Sequence, residues 1–368
     1  LLGPIRKTWI AEHFGYQENV QFGDRQISGP FGSFVHHHRF QAEGPDQSRL
    51  TDHIEYTPPL GLFGLPGLPI IRGKLESAFA YRHRVLRSDL TRHARYADQP
   101  RRKVAVTGST GLVGRALVPF LTTGGHDVVR LVRSRRPATI PDGTTSVYWN
   151  PATGEIDRDG LQGVDTVIHL AGEGIAEGRW SVARKERILQ SRGQGAKLLA
   201  ETLTQLPKPP QVFFSASAIG YYPPSGDTPL TEEHPPGQGF LSEVCRQWES
   251  ATVPARKAGI RTVLGRIGVV LTPAGGALAA QLPLFRLGIA GRLSQGTQYV
   301  PWITLDDLVG AIHHCVMEPT MEGPVNLTAP EPVTNQEFTK TLGRVLWRPT
   351  LLPAPAFGLR LALGEMAD

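Results

Sequence analysis

An apolar strand, a glycine-rich turn and an amphipathic helix follow one another between residues 103 and 123, and no other run constrains the fold as strongly. Val104-Ala105-Val106 leads into Thr107-Gly108-Ser109-Thr110-Gly111-Leu112-Val113-Gly114, and a helix continues through Ala116, Leu117, Phe120 and Leu121. A pyrophosphate at a helix N-terminus needs backbone N–H groups and no side chains in its way. Gly108 and Gly111 supply the tight turn and close approach, and Gly114 lets helix meet strand. Gly124-Gly125-His126 then ends the helix before a second strand, Asp127 to Val132. This context marks a dinucleotide site made of Gly108, Ser109, Thr110, Gly111, Leu112, Val113 and Gly114.

The second strand decides which dinucleotide is expected. Where Asp or Glu would receive a ribose 2′-hydroxyl, the chain has Val132 and then Arg133, with Arg135 and Arg136 beyond. A guanidinium pairs bidentately with a 2′-phosphate that a carboxylate would repel, so the expected cofactor is NADP.

Downstream the pattern alternates: a strand at Thr166 to Leu170, a helix through Arg187 to Leu203, a strand at Val212 to Ser215. That alternation predicts an α/β Rossmann fold, a doubly wound parallel sheet covered on both faces. The stretch Tyr222 to Gly239 and the segments after Thr272 interrupt it and are expected to form a small substrate lobe, about residues 222–245 and 266–330. Upstream, Asp24 to Gln26, Phe34 to Gln41 and Ser48 to Tyr56 read as short strands, followed from Gly73 by one long helix with an apolar face and many arginines. Ala97-Asp98-Gln99-Pro100-Arg101-Arg102 reads as a linker. The expected domains are therefore 1–97, 101–330 and a start of a small C-terminal one at 331–368.

Composition excludes several classes. With 40% apolar and 20% charged residues the chain is globular in type, and no apolar run approaches a bilayer span. Cys245 and Cys315 are too few for a disulfide scaffold, so reduced thiols and a cytoplasmic location are expected. The balance of 39 Lys+Arg against 33 Asp+Glu gives +6, but no stacking-aromatic array accompanies the arginines and no nucleic-acid partner is expected. The chain starts at Leu1 and stops at Asp368 within a helical pattern, which suggests that both ends are cut from a longer protein.

Taken with His169-Leu170-Ala171-Gly172-Glu173, Arg179-Trp180, Ser191-Arg192, Tyr221-Tyr222, Phe240-Leu241 with Trp248-Glu249, Arg266 to Leu271 and Pro301-Trp302-Ile303, the glycine motif resembles the extended short-chain dehydrogenase/reductase superfamily. The closer resemblance is to its atypical epimerase-like branch of NADP-dependent oxidoreductases, over about residues 103–366. It implies that Leu170, Ala171, Gly172, Arg187, Arg192 and Val269 join the cofactor site. Residues 1–96, with Gly29-Pro30-Phe31 and Asp52-His53-Ile54-Glu55-Tyr56, resemble the C-terminal part of a START-like helix-grip domain of the polyketide-cyclase type. That resemblance implies a partial α+β domain and a hydrophobic ligand, with Pro58 to Pro66 as a closing loop.

In typical members of the superfamily a Tyr four residues before a Lys supplies acid/base chemistry beside a Ser. Ser217 stands just past a strand, but the helix that should carry the pair reads Phe240 and Val244 at those positions, and the usual structural Asn position holds Arg192. Tyr221 is the substitute proton donor favoured here, with Tyr222, Glu173, Glu232 and Glu233 at the same expected edge. The reading is an NADP-dependent oxidoreductase or epimerase-like enzyme on a small molecule. Its rival is a non-catalytic NADP(H)-binding regulator with a hydrophobic-ligand domain. His36-His37-His38 invites a metal reading, yet only His36 and His38 share a strand face and no third ligand is evident nearby, so no metal is expected. The oligomeric state is not legible.

Overall fold

The computed structural model describes residues 8–45, 47–59, 61–134, 143–175, 178–354 and 365. Arg135 and Arg136 lie outside the described residues, as does all of 355–368 except 365. Contacts divide the chain into two units, residues 1–87 and 88–368.

In the first unit β1 (Ile10–Gln17), β2 (Gln21–Ser28), β3 (Ser33–Gly44) and β4 (Gln47–Thr57) form an antiparallel sheet in chain order. The long helix α1 (Leu68–Ala94) follows. It starts ahead of the expected Gly73 because Pro69, tolerated in a helix's first turn, sits just inside its start. The division between units falls inside α1, ahead of the Ala97 to Arg102 segment, because the helix end packs in the second unit. There Arg92 donates to Asp306 O at 2.9 Å and to Asp307 Oδ1 at 2.9 Å, and His93 lies 3.0 Å from Phe120 O.

Strand period 2 puts Phe34, His36 and His38 of β3 on the buried face. Pairing sets Asp24 of β2 opposite His36 and Asp52 of β4 opposite His38. The expectation that no further ligand-type residue lies near the histidines is therefore corrected: two carboxylates flank them, contributed by strands that only the register brings together.

The second unit holds β5 (Lys103–Thr107), α2 (Gly114–Thr123), β6 (Asp127–Val132), β7 (Thr145–Asn150), β8 (Glu155–Ile156), β9 (Thr166–His169), α3 (Val182–Thr204) and β10 (Val212–Ala218). It continues with α4 (Phe240–Ser250), α5 (Val253–Lys257), β11 (Arg261–Ile267), β12 (Val269–Leu271), α6 (Gly276–Leu287), β13 (Tyr299–Val300), β14 (Trp302–Thr304), α7 (Leu305–Met317), β15 (Gly323–Leu327), β16 (Val333–Thr334) and α8 (Asn335–Leu346). Eight strands form one sheet in the order β15-β11-β10-β9-β5-β6-β7-β8, parallel except where β8 turns back on β7. This is a Rossmann-like α/β fold with a mostly parallel central sheet.

Both faces of that sheet are covered, which is why its strands read as continuous apolar runs. Val104, Val106 and Phe214 pack with Leu117, Leu308 and Ile312 on one side. Ala105, Val167 and Phe213 pack with Leu199 and Leu203 on the other. The strand order reverses between β5 and β9, so a crevice opens at their carboxyl ends, the position where open α/β sheets bind ligands.

Candidate functional site

Thr107 and His169 end β5 and β9 and face each other across the ladder. Thr107 Oγ1 accepts from the N–H groups of Leu170 at 3.1 Å and Ala171 at 3.2 Å, which uses its lone pairs. Its own hydrogen is left for His169 Nδ1 at 2.8 Å. His169 is fully buried, and burial, with Arg192 adding to it, lowers its pKa to about 3. A neutral imidazole thus clamps the two strand ends at the switch point. Sequence reasoning quoted His169 but gave it no role.

The glycine turn stands directly on this clamp. Gly108 has φ +68°, a backbone conformation that favours glycine, and a Cβ there would meet Ala171 N and Leu170 C at 2.9 Å. A Cβ on Gly114 would meet Gly108 O at 2.2 Å. Ser109 is buried, Thr110 and Gly111 are exposed, and no side chain caps the N-terminus of α2 at Val113. The N–H groups of Arg115, Ala116 and Leu117 bond to the Gly111 and Val113 carbonyls, and the partial positive charge of the helix N-terminus stands at the turn. Leu112 is held from the far side by the turn before α6, where a Cβ on Gly275 would meet Leu112 Cδ1 at 2.9 Å. Val269 opens β12, its N–H bound to Pro301 O at 2.8 Å.

The predicted arginines separate. Arg133 is exposed one residue beyond the end of β6. Arg187 is exposed, with its Nε 4.0 Å from Glu173. Arg192 is buried: its guanidinium lies 5.0 Å from the Trp248 ring and donates to Ile188 O at 3.3 Å, while its Nε has no hydrogen-bond partner. A Cβ on Gly172 would stand 3.2 Å from Arg192 Cζ, so this cation lies just beneath the loop that leaves β9. Burial pulls its pKa down.

Ser217, near the end of β10, is buried and donates to Glu249 Oε1 at 2.8 Å. Glu249, on α4, is in turn gripped by Arg266 of β11 through two parallel bonds of 2.9 Å. Arg266 also donates to Tyr222 Oη at 2.8 Å and to Glu232 O at 3.1 Å. The Tyr222 hydroxyl passes its hydrogen to Asn326 Oδ1 at 2.7 Å, and Glu232 accepts from Asn326 N at 2.7 Å. Tyr221 lies face-on to the Arg266 guanidinium, 3.5 Å from it. Tyr222 rather than Tyr221 is thus bonded into the network, and its pKa is pushed up by burial against the pull of Arg266. Glu249 and Arg266 were visible in the sequence as parts of separate motifs, and their pairing was not.

Residues 104–327 match the family described as the NAD dependent epimerase/dehydratase family. The chain belongs to that family. An epimerase family protein of Mycobacterium bovis is 44% identical over 265 residues, covering 72% of this chain and 86% of its own. The crystal structure of the nucleoside-diphosphate sugar epimerase from Corynebacterium glutamicum superposes with a TM-score of 0.76 at 33% identity, over 98% of this chain and 76% of that one. The human epimerase family protein SDR39U1, whose structure was determined with NADPH, gives 0.64 at 33% identity, over 72% and 87%. Among the described residues of this family member, no helix is long and apolar enough to cross a membrane.

Proposed function

We propose that the chain is an NADP(H)-dependent oxidoreductase or epimerase-like enzyme acting on a small molecule. The observation that carries this reading is the cradle at the β5–β9 switch point, where Gly108 and Gly114 leave no room for a Cβ and the start of α2 has no side-chain cap. Its residues fit a dinucleotide. The turn from Gly108 to Gly114, with Ser109, Thr110, Gly111, Leu112 and Val113, would hold the pyrophosphate. Arg133 would receive the 2′-phosphate, and Leu170, Ala171, Gly172 and Val269 would wall the nicotinamide end, with Arg187 and Arg192 adding positive charge. The cofactor, when bound, supplies or accepts hydride, so the protein itself must chiefly orient the substrate and place a proton. Ser217 and Tyr221 are the proposed catalytic groups, positioned by Glu249 and Arg266 in place of the usual Tyr and Lys. This reading keeps the enzyme in the cytoplasm, where its two buried thiols, Cys245 and Cys315, stay reduced. The first unit, proposed as a partial helix-grip domain, would present a hydrophobic ligand. No nucleic acid or integral membrane partner belongs to the reading.

Calorimetric titration with NADPH and NADH tests it. NADPH is expected to bind more tightly than NADH, and Arg133→Asp to weaken NADPH much more than NADH. Equal loss for both would remove Arg133 from the site. A sugar-nucleotide and carbonyl panel then reads turnover. The second reading, a non-catalytic NADP(H)-binding regulator, is favoured by Phe240 and Val244 standing where Tyr and Lys are usual. NADPH binding with no turnover across the panel, unaffected by Ser217→Ala, would select it.

A further inference from the structure

We infer that the first unit contains a divalent transition-metal site whose protein ligands are Asp24, His36 and His38. One face of the sheet carries both histidines, and the register sets Asp24 of β2 beside His36 and Asp52 of β4 beside His38. Ligand atoms of Asp24, His36 and His38 all lie within 4.8 Å of one another. His38 Nε2 and Asp24 Oδ2 are 3.2 Å apart. Ligands about 2.0–2.2 Å from a tetrahedral zinc stand roughly 3.4 Å from each other, so this spacing already suits a shared ion.

Asp52 lies behind the two histidines. Its carboxylate is 4% exposed, and its Oδ1 lies 3.0 Å from His36 Nε2 and 2.8 Å from His38 Nδ1. His83 at 2.7 Å holds the other oxygen, and Arg82 lies 3.8 Å from Oδ1. His36 Nε2 bonds to Asp52 Oδ1 and His38 Nε2 to Asp24 Oδ2, which leaves His38 Nδ1 buried without a hydrogen-bond partner. Toward His36, Asp52 stands as the outer-shell carboxylate that orients a metal-bound histidine. A buried imidazole nitrogen with no partner, inside a group of three ligand-type side chains, calls for an explanation that a bound cation supplies. Asp24 and His36 further line an open pocket of about 310 Å³, with Trp9, Gln26 and Phe34. His13 Nδ1 lies 2.5 Å from the other Asp24 oxygen, and three protein ligands beside an open pocket leave a coordination position for water or a ligand. Two histidines and a carboxylate of this kind suit zinc, cobalt or iron(II) rather than magnesium or calcium.

A second cluster, His93, His126 and His313, brings three buried imidazoles together without a carboxylate. His126 Nδ1 accepts from Arg102 N at 3.1 Å, so its hydrogen sits on Nε2, the atom that would have to ligate. This cluster serves as the internal control.

The test uses the full chain, stripped by chelation and titrated with Co²⁺ by visible absorption and with Zn²⁺ by calorimetry. One ion per chain is expected. His36→Gln with His38→Gln should lower affinity by more than the roughly 10–100-fold that loss of an outer-shell partner costs, and Asp52→Asn should fall in that range. Asp24→Asn, which keeps the side chain's shape, should also weaken binding with an unchanged circular dichroism spectrum, separating ligand loss from misfolding. His126→Gln should leave binding intact. The site is overturned by absence of stoichiometric binding at millimolar Co²⁺, which would mean that a proton bridges His38 and Asp24. It is equally overturned by unchanged binding in the double variant, or by loss on His126→Gln instead.

Discussion

Glu249 joins three parts of the candidate site that lie far apart in sequence: Ser217 on β10, its own helix α4, and Arg266 on β11. The pair is almost dry, with Arg266 3% and Glu249 11% exposed. Removing one member of a buried ion pair strands the other charge and costs about 3–5 kcal/mol. Removing the Ser217 hydroxyl forfeits one hydrogen bond to a charged group, about 1.5–3 kcal/mol. Glu249→Ala is therefore expected to destabilise the protein more than Ser217→Ala in urea unfolding, and to lower turnover through Arg266 and the two tyrosines. Equal losses would mean that the hydroxyl, not the ion pair, organises the network. Ser217, Trp248-Glu249 and Arg266 each stand out in the sequence, but their meeting depends on β10 and β11 being neighbours. Asp24 and Asp52 escaped for the same reason. A strand's own period shows that His36 and His38 share a face, whereas their cross-strand partners are fixed by a register that no single strand encodes.

Elements carrying their own punctuation were legible. The strand from Lys103 to Thr107, the helix to Thr123 and the strand from Asp127 to Val132 emerge where the glycines and apolar runs put them. Two strands were not: β1 reads IAEHFGYQ and is exposed over most of its length, and β7 sits near the sheet edge, burying only Val147 and Trp149. Neither has the apolar run that a fully buried strand needs. The β5–α2 turn also yields a sharp test. A methyl group on Gly114 would stand 2.2 Å from Gly108 O and 2.6 Å from Ser109 Cα, both backbone atoms that cannot swing aside. Gly114→Ala must push α2 away from β5, an overpacking cost of about 1–3 kcal/mol. Because the same shift moves the N–H groups proposed to hold the pyrophosphate, NADPH affinity should fall at least about tenfold, the equivalent of 1.4 kcal/mol. A variant that binds NADPH like the parent would place the dinucleotide elsewhere.

Across the whole second unit, buried neutral histidines tie stability to pH. His126, behind α2, has its pKa lowered to about 4, first by burial and then by His93 and Arg101. His313 on α7 is lowered to about 3 by burial, His93 and His126, and His169 at the switch point to about 3 by burial and Arg192. In the unfolded chain each titrates near 6.5. Between 6.5 and the folded values the unfolded state binds more protons, so unfolding free energy rises with pH: the stability is fully present above 6.5 and is lost as pH falls toward 4. Each histidine contributes a slope of up to about 1.4 kcal/mol per pH unit, and the three together about 4 kcal/mol per pH unit once only the unfolded chain is protonated. The net charge of +6 at pH 7 grows over the same range and adds self-repulsion. Urea unfolding followed by the fluorescence of the buried Trp149 and Trp248 should show the loss beginning below pH 6.5. His313→Gln removes one titrating group, so its slope should be shallower than the parent's by about 1.4 kcal/mol per pH unit, whatever its stability at neutral pH. Parallel slopes would mean that His313 takes up its proton in the folded protein too, with water reaching the three-histidine cluster and its burial no longer governing the acid limb.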